Sequence, residues 1–136
     1  MGVLLAVVAL VLVQPAADAD GLTPLMRAAA RGDAAQVTTL LAGGADANAA
    51  HAEVRVTPLM FAAYSGHDAV VQLLLDRGAR PNLKDAAGAS AADWAAQNGH
   101  QATAERLTKA GAQLNPFLNI GVLPFALMDK AAGKTP

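Results

Sequence analysis

The sequence contains no cysteine. This absence excludes disulfide bonds, thiolate metal sites and a cysteine nucleophile, and it leaves the redox compartment of the protein open. Aromatic residues are also scarce, at 4% of the chain. A core without many large rings has to be built from small aliphatic side chains, and alanine is abundant here, so we expect closely packed helices.

An excess of charge of either sign is missing as well. Ten lysines and arginines stand against eleven aspartates and glutamates, which gives a formal net charge of −1. A surface without a basic excess cannot hold a phosphate backbone, which argues against nucleic acid as a partner. The apolar fraction of 54% in 136 residues instead indicates one folded domain.

The chain begins with an apolar run that extends from Val3 to Val13 and is followed by the small-residue sequence Ala17-Asp18-Ala19. This layout is typical of a secretory signal and predicts a leader at residues 1–19, cleaved after Ala19. The run is shorter than the roughly 20 residues of a membrane span, and no lysine or arginine precedes it. An uncleaved N-terminal anchor and a cytosolic chain whose first helix caps the fold are the alternatives.

A block of four residues, Thr23-Pro24-Leu25-Met26, starts a unit that recurs along the chain. It returns 34 residues later at Thr57 and, in weaker form, a further 33 residues later at Ser90. The same spacing repeats a pair of alanines, a glycine, a Val-x-x-Leu-Leu pattern and a closing Gly-Ala pair. A fixed period of this length predicts a stack of repeats.

Each unit has the chemistry of two consecutive helices. Thr23 and Thr57 can cap a helix with their hydroxyls, and the proline that follows suits the first helical position. Glycines then end the first helix and the second one. The second helices are predicted at Ala34 to Leu41, Asp68 to Leu75 and Gln101 to Thr108. One such pair cannot bury its apolar face alone, so about three units are required.

These blocks resemble the ankyrin repeat, whose pattern G-x-T-P-L-x-x-A-A-x-x-G-H is matched almost completely by the second unit. The resemblance covers about residues 21 to 116. It implies an all-α solenoid in which every unit has a turn followed by two antiparallel helices, with repeats at about 21–54, 55–87 and 88–120. The leader does not fit the repeat register, because Leu10 and Val11 stand where a closing Gly-Ala pair would fall.

A decayed fourth unit is predicted at residues 121–133. The sequence from Gly121 to Phe125 is similar to the opening of a repeat. We expect a half repeat whose single helix, at about Pro124 to Ala132, caps the open face of the third unit. The alternative is an exposed apolar tail that docks a partner.

Residues for catalysis or metal binding are not assembled by any motif. His67 and His100 occupy the same repeat position, where the resemblance implies a structural histidine, and His51 is expected to be solvated in a loop. The carboxylates are scattered, and neither a nucleophile elbow nor a phosphate-binding glycine loop is present. We therefore expect a protein that is not an enzyme and that has no cofactor or metal.

The resemblance implies that partners bind at the turn tips and on the outward side of the first helices. By motif position the candidate protein-binding residues are Arg27, Arg31, Arg55, Phe61, Tyr64, Trp94 and Gln97. Arg27, Phe61 and Trp94 form a row of residue types that anchor interfaces, although Phe61 and Trp94 could equally pack between repeats. Arg55 replaces a turn glycine in the loop at residues 49–56, which is one residue longer than its counterpart.

The sequence thus predicts an exported, bacterial, periplasmic or secreted module that binds another protein through its concave face. The alternative is a permanent subunit of a membrane-associated complex, held by an uncleaved N-terminal helix.

Overall fold

The computed structural model describes residues 18–115, 128 and 130–133 of the chain. The described residues form six α-helices and no strands. In chain order the helices are α1 Pro24–Arg31, α2 Ala34–Ala42, α3 Pro58–Ser65, α4 Asp68–Asp76, α5 Ala91–Gln97 and α6 Gln101–Lys109. The all-α prediction is confirmed.

The first helix of each pair starts where the sequence predicts. The side chain of Thr23 accepts a hydrogen bond from the third backbone amide of α1 at 3.2 Å, and Thr57 does the same for α3 at 3.4 Å. Ser90 caps α5 in this way at 3.3 Å. These bonds satisfy amides that have no partner inside the helix, so the three capping residues fix where the helices begin.

Short turns reverse the chain between the two helices of a pair. Gly32 and Gly66 end α1 and α3 in the left-handed conformation, at φ 74° and 71°. Asn98 caps α5, and Gly99 follows it at φ 79°. The second helices each end one residue later than predicted, within the usual uncertainty of helix ends.

The helices form two layers. The inner layer consists of α1, α3 and α5 in a row, each packed against the next, and the outer helices α2, α4 and α6 each cover their own partner. In the central helix α3, all six residues from Pro58 to Ala63 are buried. A helix that is apolar all round has to be covered on every side, which explains why α3 lies in the middle.

Histidines fill the joints between consecutive repeats. The ring of His67 lies over Gly32, where a Cβ atom would come within 2.7 Å of Nδ1, and its Nε2 lies 3.2 Å from the carbonyl oxygen of Ala30. The ring of His100 lies over Gly66 in the same way, at 2.5 Å. The prediction that both histidines are structural is confirmed.

The C-terminal residues that the structure describes lie at the opposite end of the stack from the predicted one. Met128, Lys130 and Ala131 are helical, but the ammonium group of Lys130 lies 2.7 Å from Asp20 in the first repeat. The first and third inner helices are about 16–20 Å apart, farther than a lysine side chain reaches. At these residues the expected cap on the third repeat is therefore wrong, and the rest of the predicted half repeat, 121–133, lies outside the described residues.

The leader predicted at residues 1–19 also lies almost entirely outside the described residues. Within the described part of the chain, none of the helices has the length and apolarity needed to cross a membrane.

Candidate functional site

Each repeat opens with a turn whose first side chain accepts backbone hydrogen bonds. We refer to residues 18–21, 51–55 and 85–88 as turns 1, 2 and 3. The Oδ1 atom of Asp18 accepts from the amides of Asp20 and Leu22, at 3.0 and 3.2 Å. In turn 3, Oδ1 of Asp85 accepts from two amides at 2.9 Å each. In turn 2, Nδ1 of His51 accepts from the amides of Glu53 and Val54, at 3.2 and 3.3 Å.

The aspartates of turns 1 and 3 also hold a side chain of the inner helix that follows. The Oδ2 atom of Asp18 accepts from Nε of Arg27 at 2.7 Å and forms a salt bridge with the same guanidinium. The Oδ2 atom of Asp85 accepts from the indole Nε1 of Trp94 at 2.9 Å. Phe61 occupies the equivalent position in the second repeat, and its side chain has no hydrogen-bond donor. Repeats 1 and 3 therefore tie each turn to its own helix, and repeat 2 does not.

His51 uses its second ring nitrogen to join two turns. Its Nε2 lies 2.9 Å from the carbonyl oxygen of Asp20, and the residue is only 7% exposed. Because Nδ1 accepts two amides, the proton of the neutral ring belongs on Nε2, which donates to Asp20. The expectation of a solvated loop histidine is wrong, since this ring links turn 2 to turn 1.

Arg55 adopts a backbone conformation that side chains rarely take. Its φ angle is 60°, and the glycines at the equivalent places, Gly21 and Gly88, have φ angles of 75° and 86°. Its amide donates to the carbonyl of His51 at 2.8 Å, which closes the turn. The left-handed conformation costs a residue with a Cβ atom about 1–2 kcal/mol. Arg55 is nevertheless exposed at the tip.

Two of the predicted binding residues do not reach the surface. Phe61 and Trp94 are both 0% exposed and belong to the core. The prediction that they contact a partner is wrong, because both side chains face the neighbouring repeat from the inner helices. The ring of Tyr64, which is half-buried, packs edge-on against Trp94 with centroids 6.0 Å apart. Only Tyr64 of these three aromatics is accessible to a partner.

The remaining predicted residues are accessible to different degrees. Arg31 is exposed and its guanidinium donates to Gln36 in α2 at 2.9 Å. Gln97 is exposed at the end of α5. Arg27 is partly exposed and lies between Asp18 and Asp20, 3.4 Å from the carboxylate of the latter. Of the seven predicted contact residues, five are therefore exposed or partly exposed: Arg27, Arg31, Arg55, Tyr64 and Gln97.

Sequence reasoning missed the side chains that organise the turns. Asp18 falls within the predicted leader, and none of the motifs described above includes Asp85. A signal for two of them exists, because Asp18-x-x-Gly21 recurs as Asp85-x-x-Gly88 at the same repeat position. His51 in place of the second aspartate hides the pattern in the middle unit.

Electrostatic effects at the turns are modest. The hydrogen bond from Arg27 lowers the pKa of Asp18 below the usual value of an aspartate, and the amides of turn 1 act in the same direction. Within residues 18–115, 128 and 130–133, no group of three histidine or acidic side chains could hold a metal ion. The side chains described at the turns make hydrogen bonds and, in turn 1, ion pairs.

Comparison with protein families gives one family model, described as ankyrin repeats in three copies, which matches residues 4–85 and 25–117. The first match begins inside the segment predicted as a leader. No curated protein matches the chain.

Proposed function

The chain belongs to the ankyrin repeat family, whose repeats are generally protein-binding modules without enzymatic activity, and we propose that it holds a partner protein on its turn tips. The proposed binding surface consists of the exposed residues of turns 1 to 3 together with Tyr64 and Gln97. A scaffold of stacked helices keeps such a surface rigid, which lowers the entropy lost when a partner binds.

Arg55 is the observation that carries this proposal. A left-handed arginine is less stable than the glycine that the other two repeats have at its place, and Arg55 is exposed. Among the described residues its guanidinium makes no hydrogen bond or ion pair. A strained and exposed residue whose side chain makes no bond within the fold supports contact with another molecule. An arginine is also a residue type that anchors protein interfaces.

The rigidity of the turns supports the same conclusion. The amide of Ala86 in turn 3 donates to the carbonyl of Val54 in turn 2 at 2.9 Å, and His51 bonds turn 2 to turn 1. The three tips are thus joined into one row by hydrogen bonds. A partner meets a surface that is already ordered, so little ordering has to take place on binding.

The test is a change of Arg55 to glycine in the full chain. We expect the variant to be more stable by about 0.5 to 1 kcal/mol, because relief of the left-handed strain exceeds the entropy that glycine adds to the unfolded chain. At the same time it should lose most of the partner protein that wild type captures from its native extract. Chemical denaturation measures the first effect, and quantitative mass spectrometry of captured proteins measures the second.

A matched control is Arg77→Ala, because Arg77 is an exposed arginine that follows the outer helix α4. It should capture the same proteins as wild type. If Arg55→Gly gains stability but captures every protein at the wild-type level, the turn tips are not the binding surface.

Export is a separate part of the proposal. We propose that the apolar run from Val3 to Val13 belongs to a leader that is cleaved near Ala19. Cleavage before Asp18, rather than after Ala19, leaves the residue that organises turn 1 in the mature chain. N-terminal sequencing of the native protein tests this: a start at Asp20 or at Asp18 supports export, the second with turn 1 intact, and a start at Met1 or Gly2 supports the membrane-anchored alternative.

A further inference from the structure

The residues described at the C-terminus lie against turn 1. The ammonium group of Lys130 is 2.7 Å from Oδ1 of Asp20, although 110 residues separate the two in sequence. The chain leaves the third repeat at Asn115, whose amide donates to Asp93 at 2.6 Å near the start of α5. The C-terminal residues have therefore returned from the third repeat to the first.

A short helical turn presents these residues. The amide of Ala132 donates to the carbonyl of Met128 at 3.0 Å, and Gly133 follows with a φ angle of 75°. Met128 and Ala131 are three residues apart, so they share one side of the helical turn. They are 0% and 2% exposed. Both belong to the same buried apolar cluster as Leu22 and Leu25, which follow turn 1, and Lys130 between them in sequence reaches Asp20.

Asp20 is held in place by groups from other parts of the fold. Its carbonyl accepts from His51 of turn 2, and its second carboxylate oxygen lies 3.4 Å from the guanidinium of Arg27. The first oxygen remains directed at Lys130. A carboxylate that is fixed by its neighbours binds a cation with little loss of freedom.

We propose that turn 1 and the apolar surface beside it form a docking site for a short helical segment. The segment has apolar residues three positions apart and a basic residue between them, and Met128 and residues 130–133 of the chain itself fill the site. This inference rests on the proposed function, because turn 1 is one end of the proposed binding surface. A partner protein that covers this end has to displace the C-terminal segment.

The covalent connection makes the segment an effective competitor. Twelve residues, 116–127, join Asn115 to Met128, and they can span up to about 45 Å. A tethered segment of this kind acts at an effective concentration on the order of millimolar. A free segment of the same chemistry should therefore bind poorly to the wild-type chain and well to a chain whose own segment has been prevented from docking.

The experiment uses a fluorescent peptide of residues 126–136 as the probe. It is titrated into the wild-type chain and into the full-length double variant Met128→Asp and Lys130→Glu, whose segment lacks both the apolar and the basic contact. We expect the dissociation constant to be lower for the variant by about tenfold or more. Equal dissociation constants, or no binding to a variant whose helix content and melting temperature match wild type, would overturn the proposal.

A charge exchange identifies the contact. A peptide that carries Lys130→Glu should bind the double variant more weakly than the original peptide does. Adding Asp20→Lys to the double variant should reverse the order of the two affinities, because the altered peptide then meets an opposite charge. If the order of the two peptides stays the same, Asp20 does not recognise the basic residue.

A second measurement keeps the proposal testable if the double variant does not fold. A carbodiimide joins a carboxylate to an amine in direct contact, so it should link Asp20 to Lys130 in the wild-type chain, as read by mass spectrometry. Lys130→Arg keeps the charge but should abolish the link, since the guanidinium is not coupled. Absence of the link in the wild-type chain would overturn the inference. Neither assay uses the unidentified partner protein. A negative result therefore contradicts the docking of the C-terminal segment without bearing on the proposed function.

Discussion

Turn 3 and turn 2 occupy equivalent places in consecutive repeats, but they are held by different chemistry. In turn 3, buried Asp85 accepts hydrogen bonds from the amides of Ala87 and Ala89 and from the indole of Trp94 in the helix that follows. In turn 2, His51 accepts two amides and reaches the previous repeat through Asp20. The first side chain of turn 3 therefore bonds only within its own repeat, whereas the first side chain of turn 2 also bonds to the preceding repeat.

This difference indicates that the first side chains of the turns contribute to stability in two ways. A turn bonded within its own repeat stabilises that repeat locally. A turn bonded to its neighbour couples two repeats, as nearest-neighbour contacts do in repeat proteins. The turn that makes the coupling also has the extra residue and the strained Arg55. Turn 1 resembles turn 3 in its chemistry but is more exposed, so the three turns should respond differently to equivalent changes.

The largest effect is expected from Asp85→Ala in turn 3. The change removes the carboxylate that accepts from the buried amide of Ala89 and the buried indole of Trp94, and it should lower the free energy of unfolding by about 3 kcal/mol. Chemical denaturation measures the loss. Asp18→Ala is the matched control, and its loss should be clearly smaller because water can replace the exposed carboxylate. Equal losses would mean that burial does not distinguish the two turns.

A smaller effect is expected from His51→Asp, which gives turn 2 the residue of turns 1 and 3. The carboxylate can accept the two amides, but it cannot donate to the carbonyl of Asp20. We expect the free energy of unfolding to fall by about 1 kcal/mol, the value of one hydrogen bond. His51→Asn keeps both an acceptor and a donor and should lose less. If His51→Asp is as stable as wild type, the bond between turns 1 and 2 contributes nothing to the stack.

The smallest effect concerns pH and Asp18. Arg27 lowers the pKa of this carboxylate in the folded chain, so the ion pair stabilises the fold above the unfolded pKa. That contribution is lost as the pH falls below about 4 and through the folded value. In Asp18→Asn the stability should fall less steeply between about pH 5 and 2.5. Because the pair is exposed, the difference should shrink further in high salt. Identical pH profiles would show that the pair has no net effect.

Much of the fold could be predicted because its signals are local. A threonine or serine before a helix, a proline inside its first turn and a glycine after it each act through their own backbone. The recurrence of these signals predicted the number of units and the helix starts at Pro24 and Pro58. The binding residues were harder to predict, since motif position alone did not distinguish buried Phe61 and Trp94 from accessible Tyr64.

The sequence by itself determined that this chain forms paired helices in three repeated units, because capping and chain reversal are decided within a few residues. Only the tertiary structure decided which side chains face solvent, that His51 bonds to the preceding turn, and that the described C-terminal residues lie beside turn 1. These outcomes depend on atoms that are tens of residues apart in the chain, and their distances are set by how the helices stack. No local pattern records such distances.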